Sequence, residues 1–230
     1  MKTKYRLLIA AIVALASCKK DKIEQGLDDG KSTVIIDLPG DTLASLGTPV
    51  AGSGKEQRPF HLFTFRFSNK KQQFVRNGAD SAAYLLTTNW DIAFTKEYNS
   101  QVTVNSGTYS GTPGFGGTGK GNLLIIEKPY DQVNEAPSDA EFTTNGAAGA
   151  GWDSGNGHGW FFYSTSNHIC VPVKNRTLVL KTATGKFAKL EMLNIYKGNP
   201  PVVTDLFWPA PYLTFRYYVQ EDGSRDLRTK

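Results

Sequence analysis

The chain has 230 residues, with 26 Lys and Arg against 21 Asp and Glu, and two cysteines. Three of the basic residues stand within the first six positions, so the rest of the chain carries 23 basic and 21 acidic residues, a net charge of +2. This balance excludes the strongly basic footprint of a nucleic-acid-binding protein. The roughly 200 residues beyond the N-terminal segment suffice for one hydrophobic core, and we expect a single domain.

The N-terminal segment has the three parts of an export signal. Basic residues up to Arg6 precede an apolar run from Leu7 to Ala16, which is too short to span a bilayer. The run ends in Leu15-Ala16-Ser17-Cys18, which resembles the lipobox of bacterial lipoproteins. We therefore predict a signal peptide over residues 1–17 and fatty acyl chains, palmitate among them, on the thiol of Cys18. An ordinary secretory signal with an incidental cysteine is the alternative.

The segment after Cys18 is charged and poor in apolar residues up to Ser32. Such a segment buries too little apolar surface to offset the entropy lost on ordering, so we predict a flexible, lipidated tether over residues 18–32. The β domain is then expected to occupy residues 33–230.

Cys170 is the other cysteine, and with Cys18 acylated no disulfide can form within the chain.

Alternating apolar and polar residues predict strands along most of the domain. Thr33 to Leu38 is the first strand, and in the strand predicted from Phe60 to Phe67 the side chains of Phe63, Phe65 and Phe67 occupy one face. Further strands are predicted at Tyr84–Thr88, Trp90–Phe94, Gln101–Val104, Leu123–Glu127, Trp160–Tyr163, His168–Val173, Thr177–Lys181, Phe187–Tyr196 and Leu213–Val219. No stretch of a dozen residues shows a helical stripe with caps. The predicted fold is all-β, a single, mostly antiparallel, β-sandwich-like domain.

Two long loops rich in glycine interrupt the strands, at Asn105–Gly121 and Thr143–Gly159. Loops of this length in a compact domain are usually functional or disordered. The first contains Gly114 to Lys120, which fits the first seven positions of the phosphate-binding pattern G-x-x-x-x-G-K. Gly121 replaces the Ser or Thr of that pattern and a strand follows instead of a helix, which favours a flexible loop over a nucleotide site.

The residues that could carry chemistry are few. The histidines His61, His158 and His168 are too scattered for a closed zinc site. Asp91 stands in an apolar strand, where a lone carboxylate is expected to accept hydrogen bonds from backbone amides. Because no nucleophile elbow and no paired carboxylates occur, we predict that the protein is not an enzyme.

Several motifs, taken in order, resemble the HmuY family of haem-binding lipoproteins from Bacteroidetes. They are Asn89-Trp90-Asp91-Ile92-Ala93-Phe94, a glycine-rich loop leading to Leu123-Leu124-Ile125, Gly159-Trp160, Leu178-Val179-Leu180-Lys181-Thr182-Ala183-Thr184-Gly185-Lys186-Phe187-Ala188-Lys189-Leu190, and Leu213-Thr214-Phe215-Arg216-Tyr217. In order and spacing these motifs cover the chain from about Thr33 to its end.

The resemblance implies an HmuY-like all-β domain that holds haem at loop tips and passes it to a TonB-dependent outer-membrane receptor. It also implies two axial iron ligands, His or Met, on facing loops. One ligand position follows the Gly-Trp pair by five residues and falls on Thr165 in this chain. The other loop corresponds to Gln132 through Asn145, which holds neither His nor Met. Neither family ligand is therefore present.

Substitute haem-binding residues are conceivable on this sequence. The iron-ligand candidates are His158, His168 and Met192, and the pocket candidates are Trp160, Thr165, Tyr98 and Tyr109, of which the two tyrosines could supply a phenolate oxygen. Met192 lies in a predicted strand, where a core position is the alternative.

The sequence thus predicts an outer-membrane lipoprotein, displayed on the cell surface, that binds haem or a related ligand at its loop tips for uptake, in the manner of a haemophore. The charged residues that follow Cys18 favour surface display. The alternative function is a family member without haem ligation that acts as a cell-surface module for binding protein or glycan.

Overall fold

The computed structural model describes residues 26–230, so the predicted signal peptide, Cys18 and the first part of the tether lie outside the described residues. We label the strands in chain order. They are β1 (Thr33–Pro39), β2 (Ala44–Ser45), β3 (Glu56–Gln57), β4 (Phe63–Arg66), β5 (Lys71–Phe74), β6 (Ile92–Thr95), β7 (Gln101–Val104), β8 (Asn122–Ile126), β9 (Gly149–Trp152), β10 (Gly159–Tyr163), β11 (Cys170–Pro172), β12 (Thr177–Lys181), β13 (Phe187–Asn194) and β14 (Tyr212–Val219). Between residues 26 and 230 no helix is long and apolar enough to cross a bilayer.

A five-stranded antiparallel sheet has the order β1-β14-β13-β12-β8. Along β14, alternate residues Leu213, Phe215 and Tyr217 are buried in the main hydrophobic core, as their period of two predicts. On β12, by contrast, four consecutive residues are buried. The reason is a second apolar cluster, in which Val179 and Phe187 pack with Phe142. Both faces of this part of the sheet are therefore covered.

A seven-stranded sheet has the order β11-β10-β9-β7-β6-β4-β5. Neighbouring strands in this sheet are antiparallel, except β9 and β10, which are parallel. Phe65 on β4 and Phe215 on β14 meet edge to face with ring centroids 5.4 Å apart, which joins the two sheets in one core. The prediction of an all-β, mostly antiparallel domain is confirmed.

Two short helices depart from the sequence prediction. Helix α1 (Gly78–Leu85) contains Tyr84, so the strand predicted at Tyr84–Thr88 is wrong. Helix α2 (Asp139–Asn145) starts with a capping box in which Ser138 and Glu141 bond reciprocally. Helices of seven or eight residues make two turns, which is too few for a periodic stripe to be recognised. The capping box was the signal that could have located α2.

The C-terminal end of the predicted tether contacts the folded domain. Asp29 accepts hydrogen bonds from the backbone amides of Lys31 and Ser32, at 3.1 and 2.7 Å. The Ser32 hydroxyl lies 2.8 Å from the hydroxyl of Tyr130. The last residues assigned to the tether are thus held against the folded domain, and the remainder of that assignment stays a prediction.

The sandwich has two ends that differ in their distance from the N-terminal segment. Strand β1 begins at Thr33, opposite Tyr217, and ends at Pro39, opposite Tyr212. At about 3.3 Å per residue its seven residues span about 20 Å. We call the end beside Thr33 the N-terminal pole and the end beside Pro39 the distal pole. Gly40 marks the distal pole, where the amide of Asp41 donates to the side chain of Asn99.

Candidate ligand-binding cleft

A cleft of about 450 Å³ opens at the distal pole. One wall is the segment that follows β6, and the other is formed by β9, β10 and β11. Its lining residues are Lys96, Glu97, Tyr98, Ser100, Gln101, Trp152, Phe161, Tyr163 and Cys170. Four of these are aromatic, and the volume lies in the range of small-molecule pockets, about 300–1,000 Å³.

Two aromatic side chains of the cleft form a partly exposed surface. Trp152, at the end of β9, is 54% exposed, and its indole meets the ring of Tyr163 edge to face at 5.7 Å. Beneath them Phe161 is buried and packs against Trp160 at 4.8 Å. An exposed tryptophan beside a half-buried tyrosine leaves apolar ring area in water that a flat aromatic ligand could cover.

Tyr163 pairs with one of the predicted histidines. Its hydroxyl lies 2.7 Å from Nδ1 of His168, and the ring centroids are 5.9 Å apart. His168 has a positive φ of 58° and donates its backbone N–H to the carbonyl of Ser164 at 2.8 Å. The turn between β10 and β11 therefore directs the imidazole toward the phenol at the rim of the cleft.

The opposite wall contains unusual backbone conformations. Lys96 has φ 61° and ψ −166°, and Tyr98 has φ 53° and ψ 23°. Asn99, fully buried with φ 50°, holds this segment by donating to the carbonyls of His61 and Phe94 at 2.9 and 3.3 Å. Strained conformations persist only where the surroundings enforce them, and they cluster at ligand sites.

The Gly159-Trp160 pair shapes the cleft from behind. A side chain at Gly159 would place its Cβ 2.3 Å from the amide nitrogen of Asp153, so only glycine fits there. The buried indole N–H of Trp160 donates to the carbonyl of Ser100 at 2.8 Å. Trp160, predicted as a pocket residue, thus joins β10 to the opposite wall of the cleft without lining it.

Asp153 orders the glycine loop between β9 and β10. Its buried carboxylate accepts from the backbone amides of Gly155 at 2.7 Å and Asn156 at 3.0 Å, and it pairs with Arg176. Burial by itself would raise the pKa of Asp153, but these amide donors and the guanidinium lower it to about 2. This part of the predicted long loop is therefore bound to a buried ion pair.

The other residues predicted for haem binding lie outside the cleft lining. His158 and Thr165 are exposed on loops. Met192 is 4% exposed and packs in the main core on β13, the alternative that its strand position allowed. Tyr109 is half-buried and donates its hydroxyl hydrogen to the side chain of Asn122 at 3.0 Å. Of the predicted residues, Tyr98 lines the cleft and His168 contacts it through Tyr163.

The upstream loop in which the resemblance places the second iron ligand also lies elsewhere. The segment Gln132–Asn145 includes α2, and its residues Val133, Ala136 and Phe142 belong to the second apolar cluster. That cluster also contains Leu124 and Val179 of the five-stranded sheet, and none of these residues lines the cleft. Sequence reasoning missed Trp152, Tyr163 and Cys170, because their role depends on the pairing of β9, β10 and β11.

Asp91 has the structural role that its apolar setting predicted. Its carboxylate accepts from the backbone amides of Phe67 at 2.9 Å and Ala183 at 3.2 Å. Burial raises the pKa of Asp91, and the two amides act in the opposite direction. Among the His, Cys, Asp and Glu side chains that the structure describes, no group of three or more could hold a metal ion.

Comparison with solved structures finds proteins of the HmuY type. The apo HmuY analogue of Tannerella forsythia is 10% identical with a TM-score of 0.46, and the match covers 83% of this chain and 95% of that chain. A protein of Bacteroides vulgatus described as HmuY-like and haem-binding is 13% identical with a TM-score of 0.38, covering 70% and 86% of the two chains. A lipoprotein of Bacteroides fragilis is 15% identical with a TM-score of 0.37, covering 70% and 85%.

No protein-family model and no curated protein matches the chain. Two of the three solved structures are described as HmuY-like, the kind of protein that the sequence motifs resemble. At 10–15% identity they leave the ligand and the site residues of this chain to be argued from its own geometry.

Proposed function

We propose that this protein binds haem in the distal cleft and delivers it for uptake as a lipid-anchored outer-membrane protein displayed on the cell surface. The observation that carries the proposal is the aromatic lining, in which Tyr98, Trp152 and Tyr163 surround a half-open space beside the β10–β11 turn. That turn holds Thr165, the position at which the resemblance places a ligand of the HmuY type.

The aromatic lining and the donor groups of the cleft suit haem, and the lining carries one cation, Lys96, and one anion, Glu97. Aromatic side chains cover an apolar macrocycle, while a cation at the rim can pair with a propionate. Lys96 lines the cleft and its side chain is exposed. Tyrosine and histidine side chains both ligate haem iron in proteins, and Tyr163 and His168 lie together at the rim of the cleft. The haem would lie partly in solvent, as suits a carrier that must release its cargo.

The position of the cleft agrees with attachment through the N-terminus. The described chain enters the domain at the N-terminal pole, beside Thr33, and the cleft lies at the other end of β1. Acyl chains on Cys18 would hold the N-terminal pole toward the membrane, because several buried chains give stable anchoring. The cleft would then face away from the membrane, where a TonB-dependent receptor could receive the haem.

Haemin titration of the mature protein in detergent, followed in the Soret region, tests the proposal. We expect saturable one-to-one binding that Trp152→Ala weakens, since this change removes exposed ring area without opening the core. The matched control is His158→Ala, which removes an exposed histidine outside the cleft and is expected to leave affinity unchanged. A linear response without saturation would overturn the haem proposal.

A second candidate, an interaction module for another protein, is favoured by one observation. The connection between β13 and β14 exposes Val202, Leu206 and Phe207, the last to 84%. Large exposed apolar side chains grouped in one loop often mark interaction sites. This connection leads into Tyr212 at the distal pole, so a partner bound there would sit close to the cleft. Partner binding that Phe207→Ser abolishes, in a protein that does not bind haemin, would support this candidate instead.

A further inference from the structure

The rim of the cleft contains a phenol and an imidazole in direct contact. Tyr163 ends β10 and pairs in register with Cys170 of β11. The turn between these strands holds His168 with φ 58°, and the separation of Tyr163 Oη and His168 Nδ1 is 2.7 Å. This distance is that of a good hydrogen bond. Because Tyr163 also lines the cleft, a ligand in the cleft would lie against its side chain.

We infer that Tyr163 is the iron ligand of the proposed haem site, with His168 as the hydrogen-bond partner that orients its hydroxyl. This inference rests on the haem-binding function proposed above. Tyr163 Oη would hold ferric haem iron as a phenolate, with the phenol proton released to solvent on binding and no change in the oxidation state of the iron. His168 is thus a positioning residue that acts on the iron through Tyr163.

The contact with His168 fixes the position of the Tyr163 hydroxyl, as outer partners orient other metal ligands. The imidazole belongs to an exposed side chain on the turn between β10 and β11. The pair therefore lies at the rim of the cleft, where a ligand can approach it from solvent.

The other donors at the cleft are less suited to bind iron. Burial raises the pKa of Tyr98, so this phenol resists losing its proton. Burial also raises the pKa of the Cys170 thiol to about 12, which opposes formation of a thiolate. Tyr163 is the cleft phenol within hydrogen-bond distance of an imidazole among the described residues.

The test compares haemin with metal-free protoporphyrin IX, which has the same macrocycle but no iron. In the mature protein, Tyr163→Phe is expected to weaken haemin binding at least about tenfold and to leave protoporphyrin binding within about twofold. His168→Gln should weaken haemin binding about 10- to 100-fold, as loss of an outer partner does at other metal sites. His158→Gln is the matched control. Resonance Raman bands of an iron-bound phenolate should appear in the wild type and vanish in Tyr163→Phe.

Three results would overturn the inference, and they are distinguishable. If Tyr163→Phe binds haemin with wild-type affinity and an unchanged spectrum, the ligand is another group while the proposed function stands. If the variant loses affinity for both porphyrins equally, Tyr163 packs against the macrocycle and does not bind the iron. If the wild type binds neither porphyrin, the proposed function itself fails, and the ligand assignment fails with it.

Discussion

Replacing Lys96 by glycine is expected to stabilise the protein, although it removes a side chain and a charge. Lys96 has φ 61° and ψ −166°. Glycine adopts this conformation readily, whereas it costs other residues about 1–3 kcal/mol. Glycine at this position also increases the conformational entropy of the unfolded chain. This effect offsets about 0.4–1 kcal/mol of the stabilisation gained by removing the strain. We expect the free energy of unfolding to rise by about 1 kcal/mol.

Urea unfolding of the mature protein, followed by tryptophan fluorescence, measures this free energy. A thermal scan should show an increase in Tm of about 2–4 °C for a domain of this size. The matched control is Lys96→Ala, which removes the same side chain and charge but keeps the unfavourable backbone conformation. If Lys96→Gly is no more stable than Lys96→Ala, the wall of the cleft stores no strain at this residue, and the reasoning is refuted.

Three further predictions concern buried charges. Because the pKa of Asp153 is lowered to about 2, its carboxylate stabilises the fold above its ordinary value of 3.8, and this contribution is lost as the pH falls toward 2. Asp153→Asn should therefore cost about 2–3 kcal/mol at pH 7 and less near pH 2 in urea titrations; a difference independent of pH would contradict this. Asp91→Ala leaves two backbone amides without acceptors and should lower the free energy of unfolding by about 2–5 kcal/mol in the same assay, whereas a loss below about 0.5 kcal/mol would be inconsistent with their burial. Burial lowers the pKa of Lys189 from 10.5 to about 8, so the unfolded chain holds this proton over a pH range in which the folded protein has released it. Stability should rise between pH 8 and 10.5 and should lack this component in Lys189→Met, whereas equal pH slopes for both proteins would exclude Lys189 as its source.

Much of the sheet structure follows from local sequence patterns. Leu213, Phe215 and Tyr217 alternate with polar residues and face the core as predicted. The role of Asp91 was also predictable, because a carboxylate in an apolar strand must find donors, and backbone amides are the donors at hand. These features depend on the period of a strand and on the cost of burying an unpaired polar group, which neighbouring residues already determine.

The two short helices and the ordered glycine loop depend on contacts between residues that are distant in the sequence. Tyr84 lies in α1, where its hydroxyl is 3.0 Å from that of Thr64, and no periodic pattern distinguishes two helical turns from a strand of similar length. The glycine loop before Gly159 reads as flexible in sequence, yet Asp153 and Arg176 hold it with a buried ion pair. The arginine comes from a segment beyond β11, so the contact could not be inferred from the loop itself.

The sequence by itself predicted the export signal and the lipobox, the all-β class, the alternating core faces and the resemblance to HmuY-type proteins. It also showed that the positions at which the resemblance places iron ligands hold neither His nor Met. Only the tertiary structure decided which residues form the cleft. Tyr98 and Tyr163 come from opposite walls, and Trp152 reaches them because β9 pairs with β10. Local patterns specify which face of a strand is apolar, whereas a binding site depends on which strands become neighbours, and that is set by the packing of the whole chain.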